Sequence, residues 1–323
     1  MVDAIQFRKT GGPEVLERIS VTLPEPGPGE VRIRHSAIGL NFIDIYQRSG
    51  LYPTNLPTVL GTEAAGVIEA VGAGVNLSVG TRVAYARGPL GAYTSERIMP
   101  ANHCVPLPDN VSDALAASAM LKGLTAWYLL HETFPVRRDD TILVHAAAGG
   151  VGQILCQWAK LLGATVIGTV GSEAKAVIAK KAGCDHVIFY RTEDVAAQVR
   201  ALTNGVGVPV VYDAVGKTTF MASLNALRPL GMMVSFGQAS GPIPAFELSE
   251  LAKRGSLFIT RPSLKDYIAD DATYQRAAKS LLALIGSEKL TMHVSKRYAL
   301  ADAAEAHRAL EARETTGSSV LIP

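Results

Sequence analysis

The sequence predicts an α/β protein built in two parts, a β-rich, irregular, barrel-like domain and a doubly wound parallel sheet. Three observations carry that prediction. Residues 1–122 favour short strands broken by Pro and Gly. From about Gly123 strands and helices alternate, the pattern of a parallel sheet. At the head of that second part Thr141-Ile142-Leu143-Val144 runs into the small-residue turn Ala146 to Gly152, after which apolar positions 151, 154, 155, 158, 161 and 162 recur at helical spacing.

In chain order, Ile5 to Arg8, Glu30 to Ser36, Ala65 to Val71 and Arg82 to Ala86 read as strands, separated by turns such as residues 24–29 and Gly72-Ala73-Gly74. The strand–turn–helix unit at 141–162 is followed by strands at Thr165 to Thr169, His186 to Phe189, Val208 to Tyr212, Gly231 to Phe236 and Ser256 to Thr260. Helices fall between them at Glu173 to Ala182, Glu193 to Thr203 and Thr218 to Leu227. Amphipathic helices at Tyr274 to Ile285 and Leu300 to Arg313 precede the apolar strand Ser319 to Ile322. That strand is expected to return to the first domain, so that residues 1–123 and 262–323 make one domain and 124–261 an insertion in it. A length of 323 residues suits two domains of about 150 each.

A hydrophobic content of 48% allows a sizeable core, and a net charge of +2 without any run of Lys and Arg argues against nucleic-acid or membrane partners. The N-terminus lacks the apolar stretch of a secretory signal. The most apolar region, 141–170, is interrupted by His145, Gln153, Gln157 and Lys160, where roughly 18 uninterrupted apolar residues are needed to span a bilayer. Three scattered cysteines, Cys104, Cys156 and Cys184, make neither a disulfide framework nor a metal knuckle, which fits a cytoplasmic setting.

The turn at 146–152 reads as a phosphate-binding loop. Gly149, Gly150 and Gly152 remove side chains that would keep a pyrophosphate from the backbone, and the helix that starts beside Val151 offers its first N–H groups and positive dipole end. The residue that separates NAD from NADP sits about 20 positions further on, at the end of the second strand. There the chain reads Gly171-Ser172-Glu173-Ala174-Lys175, with Tyr190 and Arg191 at the end of the next strand. Instead of an acid for a ribose hydroxyl, this grouping offers a hydroxyl and cations for a 2′-phosphate, which points to NADPH. Glu173 dissents, but as the first helical residue it suits the helix dipole; the competing reading of Lys175 is a solvated helix face.

Residues Asn41-Phe42-Ile43-Asp44, Arg48 to Pro53, Gly61-Thr62-Glu63-Ala64-Ala65-Gly66, Leu121-Lys122-Gly123-Leu124-Thr125, Ala146 to Gly152 and Val210 to Gly216 together resemble the zinc-independent NADPH:quinone oxidoreductases, the bacterial quinone oxidoreductase and ζ-crystallin family of the medium-chain dehydrogenase/reductase superfamily. The resemblance extends along essentially the whole chain. It implies a GroES-like catalytic domain, a Rossmann domain, NADPH and a homodimer. Thr81 departs from the family's usual Asp, at a position that reads as a turn. Zinc alcohol dehydrogenases, the sister family, carry a Cys and a His-Glu pair where this chain has Asn41 and Thr62-Glu63. Neither a three-ligand catalytic set nor a four-thiolate structural set can be assembled here, so no metal is expected. His35, His145 and His186 read as structural residues in or beside strands.

By resemblance, Asn41, Phe42, Ile43 and Asp44 line the nicotinamide side of the cleft between the domains. Asn41, Asp44, Tyr46 and Tyr52 are the catalytic candidates, the tyrosines as donors to a carbonyl oxygen or as stacking surfaces. Thr125 and Tyr128, which are read as beginning the helix that leads into the cofactor domain, also contact cofactor. So do Val215 and Gly216 after the fourth strand and Phe236, Gly237 and Ser240 after the fifth, with Arg261 and Arg313 neutralising phosphate. The activity implied is hydride (or electron) transfer from NADPH to a quinone without zinc. Two alternatives stand beside it: a reductase of α,β-unsaturated aldehydes or ketones, and a non-enzymatic nucleotide- or RNA-binding protein. Lys122 and Asp213 have no role on sequence grounds.

Overall fold

The computed structural model describes residues 1–312 and 317–323. Arg313, a candidate phosphate contact, lies outside the described residues. The chain divides into two compact units, Met1–Lys122 with Asp270–Pro323, and Gly123–Ala269.

The discontinuous unit begins with strands β1 (Val2–Phe7), β2 (Glu17–Val21) and β3 (Glu30–Gly39), helix α1 (Phe42–Arg48), and strands β4 (Thr58–Val59), β5 (Ala64–Val71), β6 (Arg82–Tyr85), β7 (Glu96–Pro100) and β8 (Val105–Pro106). Helix α2 (Asp113–Tyr128) then carries the chain into the second unit. Thr125 and Tyr128 therefore stand near the end of a long helix and begin none. Its Ala- and Leu-rich sequence is apolar on nearly every face, so no period announces where it starts.

The contiguous unit alternates β9 (Thr141–Val144), α3 (Gly150–Leu161), β10 (Thr165–Val170), α4 (Glu173–Lys181), β11 (His186–Phe189), α5 (Val195–Leu202), β12 (Val208–Asp213), α6 (Phe220–Ala226), β13 (Leu227–Ser235), α7 (Ser249–Lys253), β14 (Phe258–Thr260) and α8 (Leu264–Tyr267). Its six strands are parallel in the order β11-β10-β9-β12-β13-β14. Counted within the unit this is 3-2-1-4-5-6, the doubly wound dinucleotide-binding order, whose ligand crevice lies at the carboxyl ends of its first and fourth strands. Central β12 is buried at every position, as a strand covered on both faces must be. Pro209 is accommodated because the β12–β13 register shifts between Val208 and Val210, where no ladder N–H is needed. On α3, Ile154, Leu155 and Trp158 face the core, whereas Leu161, placed on the apolar face by its spacing, is 48% exposed at the helix end.

The chain then returns to the first unit through α9 (Asp271–Gly286), β15 (Val294–Ala299), α10 (Ala303–Glu311) and β16 (Ser318–Ile322). Strand β16 pairs with β3, Val320 opposite Gly39 and Leu321 opposite Ile38, and runs parallel to β15 on its other side. Phe7, Ile33, Ile38, Leu60, Ile68, Tyr85 and Leu321 fill this unit's core. Strands β2 and β15, not foreseen in the sequence, are mostly exposed and carry two adjacent charged residues each, Glu17-Arg18 and Lys296-Arg297, in place of an apolar alternation.

Candidate functional site

In the contiguous unit, β9 ends at Val144 and the chain enters α3 through a tight turn in which the Gly149 N–H donates to the Ala146 carbonyl at 2.8 Å. Gly149 caps α3 with no side chain, so the first amides of the helix are left to an outside acceptor. Gly152 has a different task. A Cβ there would collide with the Ala146 carbonyl and stand 2.9 Å from Ala147 Cα, so glycine lets helix and turn pack closely. Gln153 Nε2 donates to the Ala148 carbonyl at 2.9 Å and braces the turn.

At the end of β10, Gly171 meets Tyr190: a Cβ on the glycine would lie 2.6 Å from the tyrosine hydroxyl. Ser172 caps α4, its Oγ accepting from the Lys175 N–H at 3.4 Å, and Glu173 is the first helical residue. Gly171, Ser172, Lys175 and Tyr190 are thus brought together, with Lys175 half-buried and Tyr190 exposed.

Beyond β12, Val215 and Gly216 direct their N–H groups at the buried Asp213 carboxylate, at 2.7 and 3.0 Å. Gly216 has φ +89°, a left-handed backbone that favours glycine. Ser240 donates from its hydroxyl to the Val215 carbonyl at 2.7 Å, and Arg261 donates to the carbonyls of Ser235 and Gly237 at 2.7 and 3.0 Å. The Phe236 N–H donates to the Asp213 carbonyl. A groove of about 650 Å³ opens beside these residues, lined by Ser235, Gln238, Ile243, Phe246, Thr260 and Arg261 among others. Tyr128 is buried and stacks on Tyr267, with centroids 4.5 Å apart.

In the discontinuous unit, Asn41 caps α1 with extended backbone. Its Nδ2 donates to Glu63 Oε1 at 2.7 Å, and Glu63, fully buried, also accepts from the Leu121 N–H at 2.6 Å and from Lys122 Nζ at 3.5 Å. Lys122 Nζ donates as well to the Leu40 carbonyl at 3.3 Å. A Cβ at Gly39 would strike the Glu63 carboxylate, so glycine in β3 makes room for that acid. Burial pushes the Glu63 carboxyl up, against the pull of Lys122 and Asn41.

Asp44 is fully enclosed. Its Oδ2 accepts from the Asn41 N–H at 2.8 Å and the Tyr93 hydroxyl at 3.0 Å, while Oδ1 has no partner among the described residues. Burial pushes its pKa up to about 7, the two donors opposing. Since Tyr93 gives its only proton to Asp44, it accepts from His307 Nε2, 3.0 Å away, and His307 Nδ1 accepts in turn from Arg48 at 3.2 Å. Arg48 is also paired with Glu311. Burial and the Arg48 charge hold His307 neutral, its pKa down at about 3.

Tyr46 and Tyr52 meet edge-on at 5.2 Å between centroids, with Phe42 6.2 Å from Tyr46; these three and Ile43 are half-buried. The α1 segment therefore presents an aromatic cluster with Phe42 and Ile43, while Asn41 and Asp44 turn inward to Glu63 and Tyr93. Sequence reasoning missed Glu63, Lys122, Tyr93, His307 and Asp213 as parts of these networks. The signal available was charge inside apolar runs, as at Lys122 in 116–130, because a buried charge requires a partner. Among the described residues, no group of three or more His, Cys, Asp or Glu side chains is placed to hold a metal ion, and no helix is long and apolar enough to cross a membrane.

Residues 27–109 match the alcohol dehydrogenase GroES-like domain family and residues 150–279 the zinc-binding dehydrogenase family. The chain is 51% identical to a quinone oxidoreductase of Pseudomonas aeruginosa, over 100% of both chains. It is 46% identical to a 2-haloacrylate reductase of a Burkholderia species, covering 100% of this chain and 99% of that one. A crystal structure of Escherichia coli quinone oxidoreductase complexed with NADPH, 48% identical, superposes with a TM-score of 0.97, covering 99% of this chain and 100% of that one.

Proposed function

This chain belongs to the quinone oxidoreductase family of the medium-chain dehydrogenase/reductase superfamily, and on that premise we propose that it is an NADPH-dependent reductase of quinones that works without zinc. The observation that carries the reading is the full-length likeness to the Escherichia coli quinone oxidoreductase complexed with NADPH. The residues present fit that cofactor. Gly149 leaves the amino end of α3 uncapped by a side chain, which suits a pyrophosphate. Gly171, Ser172, Lys175 and Tyr190 gather a hydroxyl pair and a cation, and no carboxylate from strand end to helix cap, which suits a phosphorylated ribose.

NADPH, when bound, supplies a hydride equivalent from C4 of its nicotinamide. The chain's own residues bind and orient. The Val215–Gly216 turn, Phe236, Gly237 and Ser240 offer backbone and small side chains at strand ends, and Arg261, anchored on two carbonyls, sets positive charge at the groove. Thr125 and Tyr128 belong to the same unit. Phe42, Ile43, Tyr46 and Tyr52 give an apolar surface for a planar ring, and solvent or the Tyr52 or Tyr46 hydroxyl supplies the proton in this reading. Asn41, held by Glu63, fixes the start of α1. A quinone needs no Lewis acid, being electron-poor already. We further read the protein as a cytoplasmic homodimer, a reading supported by three buried free cysteines and by the exposed edge strand β14, where Phe258 is 55% exposed.

The likeness to the 2-haloacrylate reductase favours a second reading, reduction of a carbon–carbon double bond conjugated to a carbonyl. Steady-state kcat/KM for a panel of quinones and enones, each with NADPH and NADH, tests both. Faster turnover of quinones with NADPH is expected; preference for enones, or for NADH, overturns the first reading.

A further inference from the structure

Asp213, His145, Ser223 and Thr169 form a buried network at the carboxyl ends of β12, β9 and β10, each residue at most 1% exposed. Ser223 Oγ lies 2.7 Å from Asp213 Oδ2 and 3.0 Å from His145 Nε2, and His145 Nδ1 lies 3.0 Å from Thr169 Oγ1. The proton positions follow from the chemistry of the end group. A carboxylate only accepts, so Ser223 gives it its single proton and must accept from His145 Nε2–H. That leaves His145 Nδ1 bare, accepting from the Thr169 hydroxyl. Burial lowers the affinity of this imidazole for a second proton, consistent with the neutral tautomer. The donors run one way, from Thr169 through His145 and Ser223 to Asp213.

At Asp213 the chain meets three further donors: Thr219 Oγ1 at 2.7 Å from Oδ2, and the Val215 and Gly216 amides on Oδ1. His145 itself follows β9 directly and opens the Ala146–Gly152 turn. Its N–H donates to the Tyr212 carbonyl of β12, and the Ala147 N–H donates to the Thr169 carbonyl of β10. The network thus bridges the sheet at its switch point, where strand order reverses and a dinucleotide lies across the crevice.

We propose that His145 is a positioning residue that locks the Val215–Gly216 turn to the Ala146–Gly152 turn through Ser223 and Asp213, setting the spacing of the two turns that hold NADPH. The proposal rests on the NADPH reading for its consequence in binding, though not for the coupling itself. The arrangement of Ser, His and Asp is not a nucleophilic triad: the serine proton goes to the aspartate, and the histidine is left with no proton-accepting nitrogen facing the serine.

The test compares His145→Phe, Ser223→Ala, Thr169→Val and His145→Gln with the parent protein by amide hydrogen exchange and by fluorescence titration with NADPH. Exchange at Val215 and Gly216 is expected to accelerate at least tenfold in His145→Phe and Ser223→Ala, with the β9 amides still protected. Ser223→Ala keeps the test available if His145→Phe does not fold, and Thr169→Val, which removes only the donor to His145 Nδ1, is expected to accelerate that exchange less than Ser223→Ala. His145→Gln, with one donor and one acceptor, is expected to restore protection. The Kd and KM for NADPH are expected to rise about tenfold in the two disrupting variants while kcat at saturation changes less than twofold. Unchanged exchange at Val215 and Gly216 in folded His145→Phe or Ser223→Ala overturns the coupling. Accelerated exchange with unchanged NADPH affinity overturns its role in positioning, and failure of the parent protein to bind NADPH overturns the cofactor reading while leaving the exchange result to decide the coupling.

Discussion

Gly171 and Tyr190 are fitted to each other: any side chain on the glycine begins 2.6 Å from the tyrosine hydroxyl oxygen. Tyr190 is 42% exposed and its ring is free to swing outward, so Gly171→Ala displaces the hydroxyl at little cost to the fold. The KM for NADPH is expected to rise about fivefold to tenfold, roughly 1–1.4 kcal/mol of binding, with a Tm within a few degrees of the parent. An unchanged KM would separate Tyr190 from the nucleotide site.

Lys175 stands one turn into α4, whose start Ser172 caps. If its ammonium meets a ribose phosphate, Lys175→Ala lowers kcat/KM for NADPH about tenfold to a hundredfold and leaves NADH untouched, since only one of the two carries the charge. Equal losses with both nucleotides would make Lys175 an ordinary helix residue.

Lys122 and Glu63 form a buried ion pair at 3.5 Å. Lys122→Met removes one partner and leaves a carboxylate stranded, at a cost of about 3–5 kcal/mol in urea unfolding at neutral pH. Burial already raises the Glu63 pKa, and loss of the ammonium raises it further. The variant therefore regains stability as pH falls and Glu63 takes up a proton, and the double change with Glu63→Gln recovers part of the loss at pH 7.

Burial pushes the Asp44 pKa up from the ordinary 3.8 to about 7, with Tyr93, Asn41, Glu63 and Lys122 as its polar and charged neighbours. Because the folded pKa is the higher one, the group contributes stability fully below about 4, and that contribution is lost as pH rises through 7. Between those limits the slope approaches about 1.4 kcal/mol per pH unit. Asp44→Asn, which keeps an acceptor for Asn41 and Tyr93, is expected to lose less stability than the parent between pH 5 and pH 8. Parallel pH profiles would show that Asp44 stays charged in the fold.

Much of the contiguous unit was legible in the sequence because its signals are local. The run Thr141–Val144 into Ala146–Gly152 announces strand, turn and helix, and five further strands alternate with helices at readable spacing. The Ala146–Gly152 turn and the meeting of the β10 end with Tyr190 were legible as local structure for the same reason. The buried networks were not. Glu63 and Lys122 lie 59 positions apart, Arg48 and His307 259 apart, and no period within either segment points to the other. Helix α1 was hidden by β-branched and aromatic residues of low helix propensity; its tie to Asp44 is capping chemistry, visible only once the backbone turns.

Strand β16 enters its sheet between β15 and β3, joining residues 318–322 to residues about 280 positions earlier in the chain. Translation then imposes a sequence of events: residues 123–269 emerge as one continuous stretch and can condense while the remainder is still on the ribosome. The discontinuous unit must wait, with the β3 edge open, until Ser318 to Ile322 clear the exit tunnel. A stop codon ahead of Ser318 leaves the 123–269 unit attached to a sheet that lacks β16, its β3 edge open to unwanted pairing.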